Sequence, residues 1–116
     1  MAIPDLERIM LPMLKILKDH KKCTMQEMEE KLVQSFGLSE EEKARQKPSG
    51  GESLFHNRLH WSKFYLKKAG IVDGKPRGAF WLTERGKSVL QENPSKIDTA
   101  YLMKFKEFSD FVARKK

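Results

Sequence analysis

The stretch from Ser53 to Thr83, SLFHNRLHWSKFYLKKAGIVDGKPRGAFWLT, constrains the fold more than any other part of the chain. Its first half has the apolar spacing of an amphipathic helix, and Gly70 follows as a residue that readily ends helices. Residues 71–72 then favour a strand, whereas Asp73 to Gly78 is too polar and too rich in glycine and proline for a strand interior. The residues from Ala79 to Leu82 are then expected to form the second strand of a hairpin. The stretch therefore predicts one helix followed directly by a β-hairpin.

The helix predicted from Ser53 to Ala69 has two different sides when its residues are projected at about 100° each. The inner side is largely apolar, with Arg58 and Tyr65 at its margin, and we expect it to pack on the core. Its residues are Phe55, Leu59, Ser62, Leu66 and Ala69. The outer side is polar and basic, and we expect it to be exposed. Its residues are His56, Asn57, His60, Lys63, Phe64 and Lys67.

Three more helices are predicted before this stretch. Apolar residues at helical spacing indicate the first, from about Asp5 to His20. Pro12 lies inside it and lacks an amide hydrogen, so we expect either a kink or a separate first turn. Thr24 and Ser39 each stand three residues before a glutamate, which is the capping-box pattern at the start of a helix. The helix after Thr24 should end at Gly37, and the helix after Ser39 should be short and acidic.

The carboxy-terminal part predicts two further helical segments. One runs from Thr83 to Glu92, with Val89 and Leu90 buried. Residues 97–116 carry an aromatic stripe compatible with a helix, and its placement stays open. It could pack back on the first helix, form a seam between two copies of the chain, or lead into another domain. We expect Trp81 to lie in the core, whereas the position of Trp61 stays open.

Positive charge is concentrated in the same part of the chain as the helix and hairpin. Residues 53–88 contain eight lysines or arginines and two acids, a net charge of +6. Residues 1–52 carry −1 and residues 89–116 carry +2, within a total of +7. Charge scattered over a merely soluble surface would be spread more evenly. The pattern therefore favours a polyanionic partner.

A basic helix followed by a basic hairpin is typical of proteins that bind double-stranded DNA. An α-helix fits the major groove, where polar and basic side chains reach base edges or phosphates. The hairpin tip around Pro76 suits the minor groove or the backbone. The residues predicted to contact DNA are His56, Asn57, Arg58, His60, Lys63, Lys67, Lys68, Lys75 and Arg77. Two alternatives stay open: these residues form only a solvated helix side, or Arg58 instead holds a carboxylate inside the domain.

The order of the elements predicts an α+β fold that is mainly helical, namely a winged helix-turn-helix with a small β-hairpin wing. A chain of 116 residues is long enough for one domain with its own core. We expect residues 1–96 to form the winged-helix DNA-binding domain. Residues 97–116 are expected to be a helical extension of the same domain or the start of a linker.

The sequence gives little support for an enzyme, a metal site or a membrane protein. His56 and His60 are four residues apart, which suits zinc, but no third ligand and no HExxH glutamate accompany them. No nucleophile triad, phosphate loop or paired-carboxylate site has suitable spacing, so we expect no catalytic residue, no metal and no cofactor. The apolar run from Ile9 to Leu14 is too short to cross a bilayer. The single cysteine, Cys23, cannot form an internal disulfide, and we expect a cytoplasmic protein.

Five segments of the chain resemble the amino-terminal domain of Mrr-type restriction endonucleases. They are LPMLKIL, FGLSEEEKA, FHNRLHWSKFYLKKAGIV, RGAFWLTERG and ENPSKID, and the resemblance extends from about Asp5 to Phe108. It implies a winged helix that binds DNA and precedes a separate metal-dependent nuclease domain, which cuts DNA bearing modified bases. The catalytic Asp and the Glu/Gln-x-Lys strand of that nuclease are missing from this sequence.

The predicted function is therefore recognition of double-stranded DNA, including modified DNA, as the target-recognition domain of an Mrr-type restriction system. The alternatives are a stand-alone winged-helix regulator of transcription and a protein-interaction or dimerisation adaptor. A homodimer through residues 97–116 is a further prediction. Whether a nuclease domain follows in a longer protein stays open.

Overall fold

The computed structural model describes residues 3–46, 48, 50–75 and 78–114. These residues form a mainly helical α+β fold with one small antiparallel sheet. The helices are α1 (Leu6–His20), α2 (Met25–Phe36), α3 (Glu40–Ala44), α4 (Leu54–Lys68), α5 (Glu84–Gln91), α6 (Thr99–Leu102) and α7 (Lys106–Arg114). The strands are β1 (Lys22–Cys23), β2 (Val72–Gly74) and β3 (Phe80–Leu82). No helix within the described ranges is long and apolar enough to span a membrane.

Both predicted capping boxes are confirmed. The amide of Glu27 donates to the hydroxyl of Thr24 at 3.1 Å, and the amide of Thr24 donates to the carboxylate of Glu27 at 2.9 Å. Ser39 and Glu42 exchange the same two hydrogen bonds. Each pair satisfies amides that have no partner inside the first turn of a helix, and so fixes where α2 and α3 begin. The predicted stop of α2 is also confirmed, since Gly37 follows it with a φ of +66°.

Helix α1 runs without a break through Pro12, so a separate first turn does not form. Proline removes a single amide hydrogen, and the burial of the apolar side of α1 keeps the helix together across that gap. The residues of α1 that are 0% exposed are Ile9, Met10, Met13 and Leu14. Helix α1 ends at His20, and the following Lys21 takes a φ of +63° and turns the chain into β1.

The sheet has the strand order β1-β3-β2, with both pairs antiparallel. Strand β1 was not predicted, because two residues are too short to show a strand period. The expected turn from Asp73 to Gly78 is wrong at its start, since Asp73 and Gly74 belong to β2 and pair with β3. The core position expected for Trp81 is also wrong. Alternation along β3 buries Phe80 and Leu82 and leaves Trp81 40% exposed on the outer side of the sheet.

The carboxy-terminal segment forms two helices, which pack against α4 and contact α1. The ring of Phe108 in α7 lies edge-on to Tyr65 of α4, with the centroids 5.8 Å apart. Phe111 meets Phe64 in the same way at 5.6 Å. The amide and hydroxyl of Thr99 both donate to the carboxylate of Glu7 in α1 at 2.8 Å. Of the open placements for this segment, packing back on the same chain therefore occurs, although mainly on α4.

The start of α5 is joined tightly to the turn between α4 and β2. The hydroxyl of Thr83 accepts from the amide of Gly86 and lies 2.6 Å from the carbonyl oxygen of Gly70. The guanidinium of Arg85 donates to the carbonyl of Ala69 at 2.8 Å and to Glu107 of α7 at 2.9 Å. A Cβ atom added to Gly86 would lie 2.3 Å from the carbonyl oxygen of Ile71. We call this contact region the Gly70 junction.

The close contact at Gly86 gives the first testable prediction. Gly86→Ala should lower the free energy of unfolding by about 2 to 3 kcal/mol, because the added methyl group overlaps the backbone of Ile71, the residue before β2. Helix propensity alone would favour alanine by roughly 1 kcal/mol, so the two effects have opposite signs. Ser88→Ala, on the exposed side of the same helix, is the matched control and should change stability by less than about 0.5 kcal/mol. Urea denaturation measures both, and an unchanged or raised stability of Gly86→Ala would contradict the contact.

Candidate nucleic-acid interface

Helix α4 is held in the middle of the domain by its inner side. Phe55, Leu59 and Leu66 are each no more than 1% exposed. The hydroxyl of Ser62 bonds the carbonyl of Leu6 in α1, which satisfies a polar group inside this packed surface. Ser53 caps the start of the helix by accepting from the amide of His56 at 3.0 Å. The inner side predicted from the sequence is therefore confirmed, and α4 is a rigid support for the side chains on its other side.

The exposed side of α4 combines basic, amide and aromatic groups. Its residues recur at helical spacing and form a single stripe, which we call the outer row. The outer row consists of Asn57, His60, Trp61, Phe64, Lys67 and Lys68. His60, Trp61, Lys67 and Lys68 are exposed, and Asn57 and Phe64 are half-buried. Trp61, whose position the sequence left open, is 40% exposed and lies edge-on to Phe64 at 5.5 Å.

Two of the predicted contact residues at the start of α4 already bond carboxylates. The Nδ1 atom of His56 lies 2.6 Å from an oxygen of Glu29 in α2. The side-chain amide of Asn57 donates to Glu52, in the loop before α4, at 2.7 Å. Both carboxylates orient the ring and the amide without a partner present. A partner that bonds these same donor atoms has to replace a carboxylate.

Arg58 bonds the amino-terminal segment of the chain. Its Nη1 atom donates to the carbonyl oxygens of Ile3 at 2.9 Å and Pro4 at 3.2 Å. Arg58 thus bonds within the domain, which is the alternative that the sequence left open. Its acceptors here are backbone carbonyls, whereas that alternative expected a carboxylate. Both hydrogen bonds connect the guanidinium of α4 to the segment that leads into α1.

Lys63 does not lie on the exposed side of α4, where the helical projection had put it. It is 8% exposed, and its Nζ atom lies 4.8 Å from the centroid of the Phe80 ring in β3. The projection treated α4 as an isolated helix, whereas the sheet covers the edge of the helix that carries Lys63. Burial lowers the pKa of Lys63, and the nearby charge of Lys67 acts in the same direction.

The hairpin lies beside the carboxy-terminal half of the outer row. The ammonium of Lys67 donates to the carbonyl oxygen of Gly74 in β2 at 3.2 Å, which links α4 to the hairpin. Lys75 is exposed just after β2. Arg77, the remaining predicted contact residue, lies outside the described residues together with Pro76. Lys67 and Lys75 therefore both add positive charge where α4 meets the hairpin.

Lys68 lies at the other edge of the outer row, next to α7. Its Nζ atom is 5.3 Å from the centroid of the Phe64 ring and 5.2 Å from that of Phe111. Such contacts hold an ammonium over aromatic faces while one side remains open to solvent. The sequence pointed to Lys68 by its charge, but the aromatic support from α7 could not be read from it.

The arrangement of basic, amide and aromatic groups suits recognition of an anion. The rings of His56 and His60 are 6.4 Å apart between centroids. Across the described ranges, no group of three or more His, Cys, Asp or Glu side chains is placed to hold a metal ion. Positive groups on a rigid helix, with an amide and a tryptophan between them, match the donors and stacking surfaces that proteins use on nucleic acids.

The burial of Lys63 gives a prediction with a defined pH dependence. Lys63→Met should raise the free energy of unfolding at neutral pH by roughly 1 kcal/mol, because no charged amine then has to be buried. The folded pKa lies below the ordinary 10.5, so the unfolded chain binds this proton more tightly. Stability of the unmodified protein should therefore rise as the pH increases from the folded pKa towards 10.5, and the difference from Lys63→Met should shrink.

Urea denaturation across that pH range measures the effect. Lys15→Met is the matched control, since it removes the same charge from an exposed position on α1, away from Lys63. It should change stability by less than about 0.5 kcal/mol at any pH. If Lys63→Met lowers the free energy of unfolding at neutral pH, burial of the Lys63 ammonium group does not destabilise the fold.

The chain matches one family of known proteins. The family model described as the Mrr N-terminal domain matches residues 7–92, from α1 to the end of α5. No significant match was found among the curated proteins or the solved structures. The matched region contains the outer row, the hairpin and the Gly70 junction. Since the match covers well over half of the sequence, the chain belongs to the Mrr N-terminal domain family.

Proposed function

We propose that this domain is a winged helix that binds double-stranded DNA and selects the target of an Mrr-type restriction system. Membership of the family associates the chain with Mrr restriction systems. The observation that carries the proposal is the outer row of α4, which presents basic and amide groups on a rigid helix within the segment of +6 net charge. An α-helix with such a surface fits the major groove of DNA.

The position of the hairpin supports its proposed role as the wing. Strands β2 and β3 follow α4 directly, and the bond from Lys67 to Gly74 keeps the hairpin beside the helix. With α4 in the major groove, Lys75 and the hairpin tip would lie along the adjacent backbone or minor groove. The order β1-β3-β2 supports this geometry, because β3 is fixed on both sides and supports the outer strand β2.

Different residues of the interface take different roles in this proposal. Lys67, Lys68 and Lys75 contact phosphates, since exposed ammonium groups are attracted to the backbone irrespective of sequence. Asn57 and His60 are directed at base edges, where an amide can form two hydrogen bonds with adenine. Lys63 and Arg58 are left out of the contact set because the first is buried and the second bonds Ile3 and Pro4.

Cleavage is assigned to a different domain. The matched family is an amino-terminal domain and is distinct from the nuclease. We propose that this chain supplies recognition, with DNA bearing modified bases as its target, and that a separate nuclease domain cuts. A homodimer through residues 97–116 stays a prediction, for which the exposed Met103 beside α7 is the available apolar surface.

The proposal predicts a steep dependence of DNA binding on salt. For about four to six phosphate contacts, the logarithm of the association constant should fall with that of salt concentration with a slope of roughly −3 to −5. Lys67→Ala with Lys68→Ala should reduce the magnitude of the slope by about 2 and weaken binding to all duplexes alike. Lys15→Ala with Lys96→Ala removes the same charge from exposed positions off the outer row and should leave the slope within about 0.5 of its starting value. Fluorescence anisotropy on labelled duplexes measures this, and a flat salt response would end the proposal.

Asn57 gives a separate prediction about sequence discrimination. Asn57→Ala should reduce the difference in affinity between preferred and non-preferred duplexes by about 1 to 3 kcal/mol, because a base contact is lost while phosphate contacts remain. Glu52→Gln is a useful companion, since it weakens the internal bond of Asn57 without removing the amide. Competition binding with a pool of randomised duplexes measures discrimination. An equal loss of affinity for every duplex on Asn57→Ala would remove this residue from the readout set.

A further inference from the structure

A second surface lies away from the outer row, in a groove between the end of α1, strand β3 and α5. Its floor is apolar and is formed by Leu17, Leu82 and Leu90, with the exposed ring of Trp81 as one wall. The groove encloses about 540 Å³, which is within the size range of sites that bury a sizeable ligand group. We call it the Trp81 groove. A tryptophan that is 40% exposed above a leucine floor is the kind of surface that binding partners cover.

Three lysines surround this apolar floor. Lys18 and Lys21 come from the end of α1, and Lys87 comes from α5. Within the described part of the chain, no carboxylate forms an ion pair with Lys18 or Lys21. Lys87 lies 3.6 Å from Glu84, whose side chain is 93% exposed, and so exposed a pair contributes little. The lysine stems extend the apolar area, while their ammonium groups add positive charge around it.

The Trp81 groove is not part of the surface proposed for DNA. Its lining comes from α1, β3 and α5, whereas the outer row lies on α4 and the wing edge on β2. Trp81 points from the outer side of the sheet, opposite the buried Phe80 that packs against Lys63 of α4. A DNA backbone would satisfy the lysines but would bring no apolar group to cover the leucines and the indole. The chemistry of the groove therefore calls for a partner with both negative charge and apolar side chains.

We infer that the Trp81 groove binds an acidic peptide segment of a partner protein, with bulky apolar side chains on Trp81 and the leucine floor and carboxylates at Lys18, Lys21 and Lys87. Three separated ammonium groups match several carboxylates along a peptide better than the single charge of a small ligand. Burial of the apolar side chains would supply most of the affinity. The carboxylates would set the choice of partner, because wrongly charged segments are repelled.

Intrinsic fluorescence tests this inference, because the chain has only two tryptophans. Trp61→Phe leaves Trp81 as the single reporter inside the groove. The probe is a short synthetic peptide with glutamates around one phenylalanine and one leucine placed a helical turn apart. Saturable binding should shift the Trp81 emission to shorter wavelength as the ring loses contact with water. The same peptide with every glutamate changed to glutamine should bind at least about tenfold more weakly.

Charge variants locate the effect on the protein. Lys18→Glu with Lys87→Glu should weaken binding of the acidic peptide by about tenfold or more. Lys96→Glu with Lys106→Glu makes the same change of net charge at positions outside the groove and should have little effect on binding. Circular dichroism confirms that both variants fold. The inference is overturned if the emission does not shift in a saturable way, if the neutral peptide binds equally well, or if both charge variants weaken binding alike. It is also overturned if duplex DNA displaces the peptide in direct competition, since the lysines would then belong to a nucleic-acid surface.

Discussion

The close packing of α5 on the turn after α4 fixes the relation between the helix and the hairpin. Gly86 lies so near the carbonyl of Ile71 that only a hydrogen atom fits between them, and Thr83 bonds the carbonyl of Gly70 from the same side. Because Ile71 leads directly into β2, this contact sets the direction in which the hairpin leaves α4. Arg85 extends the junction to Glu107 and so brings α7 against α4 as well. Residues 82–86 therefore build the frame of the proposed interface.

Much of the local structure could be predicted from the sequence because it depends on neighbours along the chain. The capping boxes at Thr24 and Ser39 and the stop at Gly37 each depend on residues within one or two turns. The inner side of α4 also followed from spacing alone. The candidate contact set was harder to predict, because exposure at the edges of α4 depends on which other elements cover it. Lys63 is buried for this reason, whereas Trp81 is exposed because alternation along β3 places it on the outer side of the sheet.

Elements with little sequence signal account for the remaining differences. Strand β1 consists of two residues and is recognisable only through its pairing with Trp81 and Phe80. The acceptors of Arg58 are backbone carbonyls of Ile3 and Pro4, which carry no side-chain signal at all. The aromatic stripe of the last segment was visible, but its partners Phe64 and Tyr65 lie far away in sequence. For such long-range contacts, the sequence shows the type of each residue but does not show which distant residue it contacts.

The hydrogen bond between Asn57 and Glu52 has a consequence for how the proposed domain would search along DNA. While Glu52 accepts a hydrogen bond from this amide at 2.7 Å, a base pair that takes the same hydrogen would have to replace the carboxylate. Non-matching sequences would then be held only through phosphates, and the protein could slide along them with few base contacts to break. A site that offers a bidentate acceptor and donor pair would draw the amide away from Glu52. The carboxylate would thus act as an internal competitor that shortens the dwell time at wrong sites.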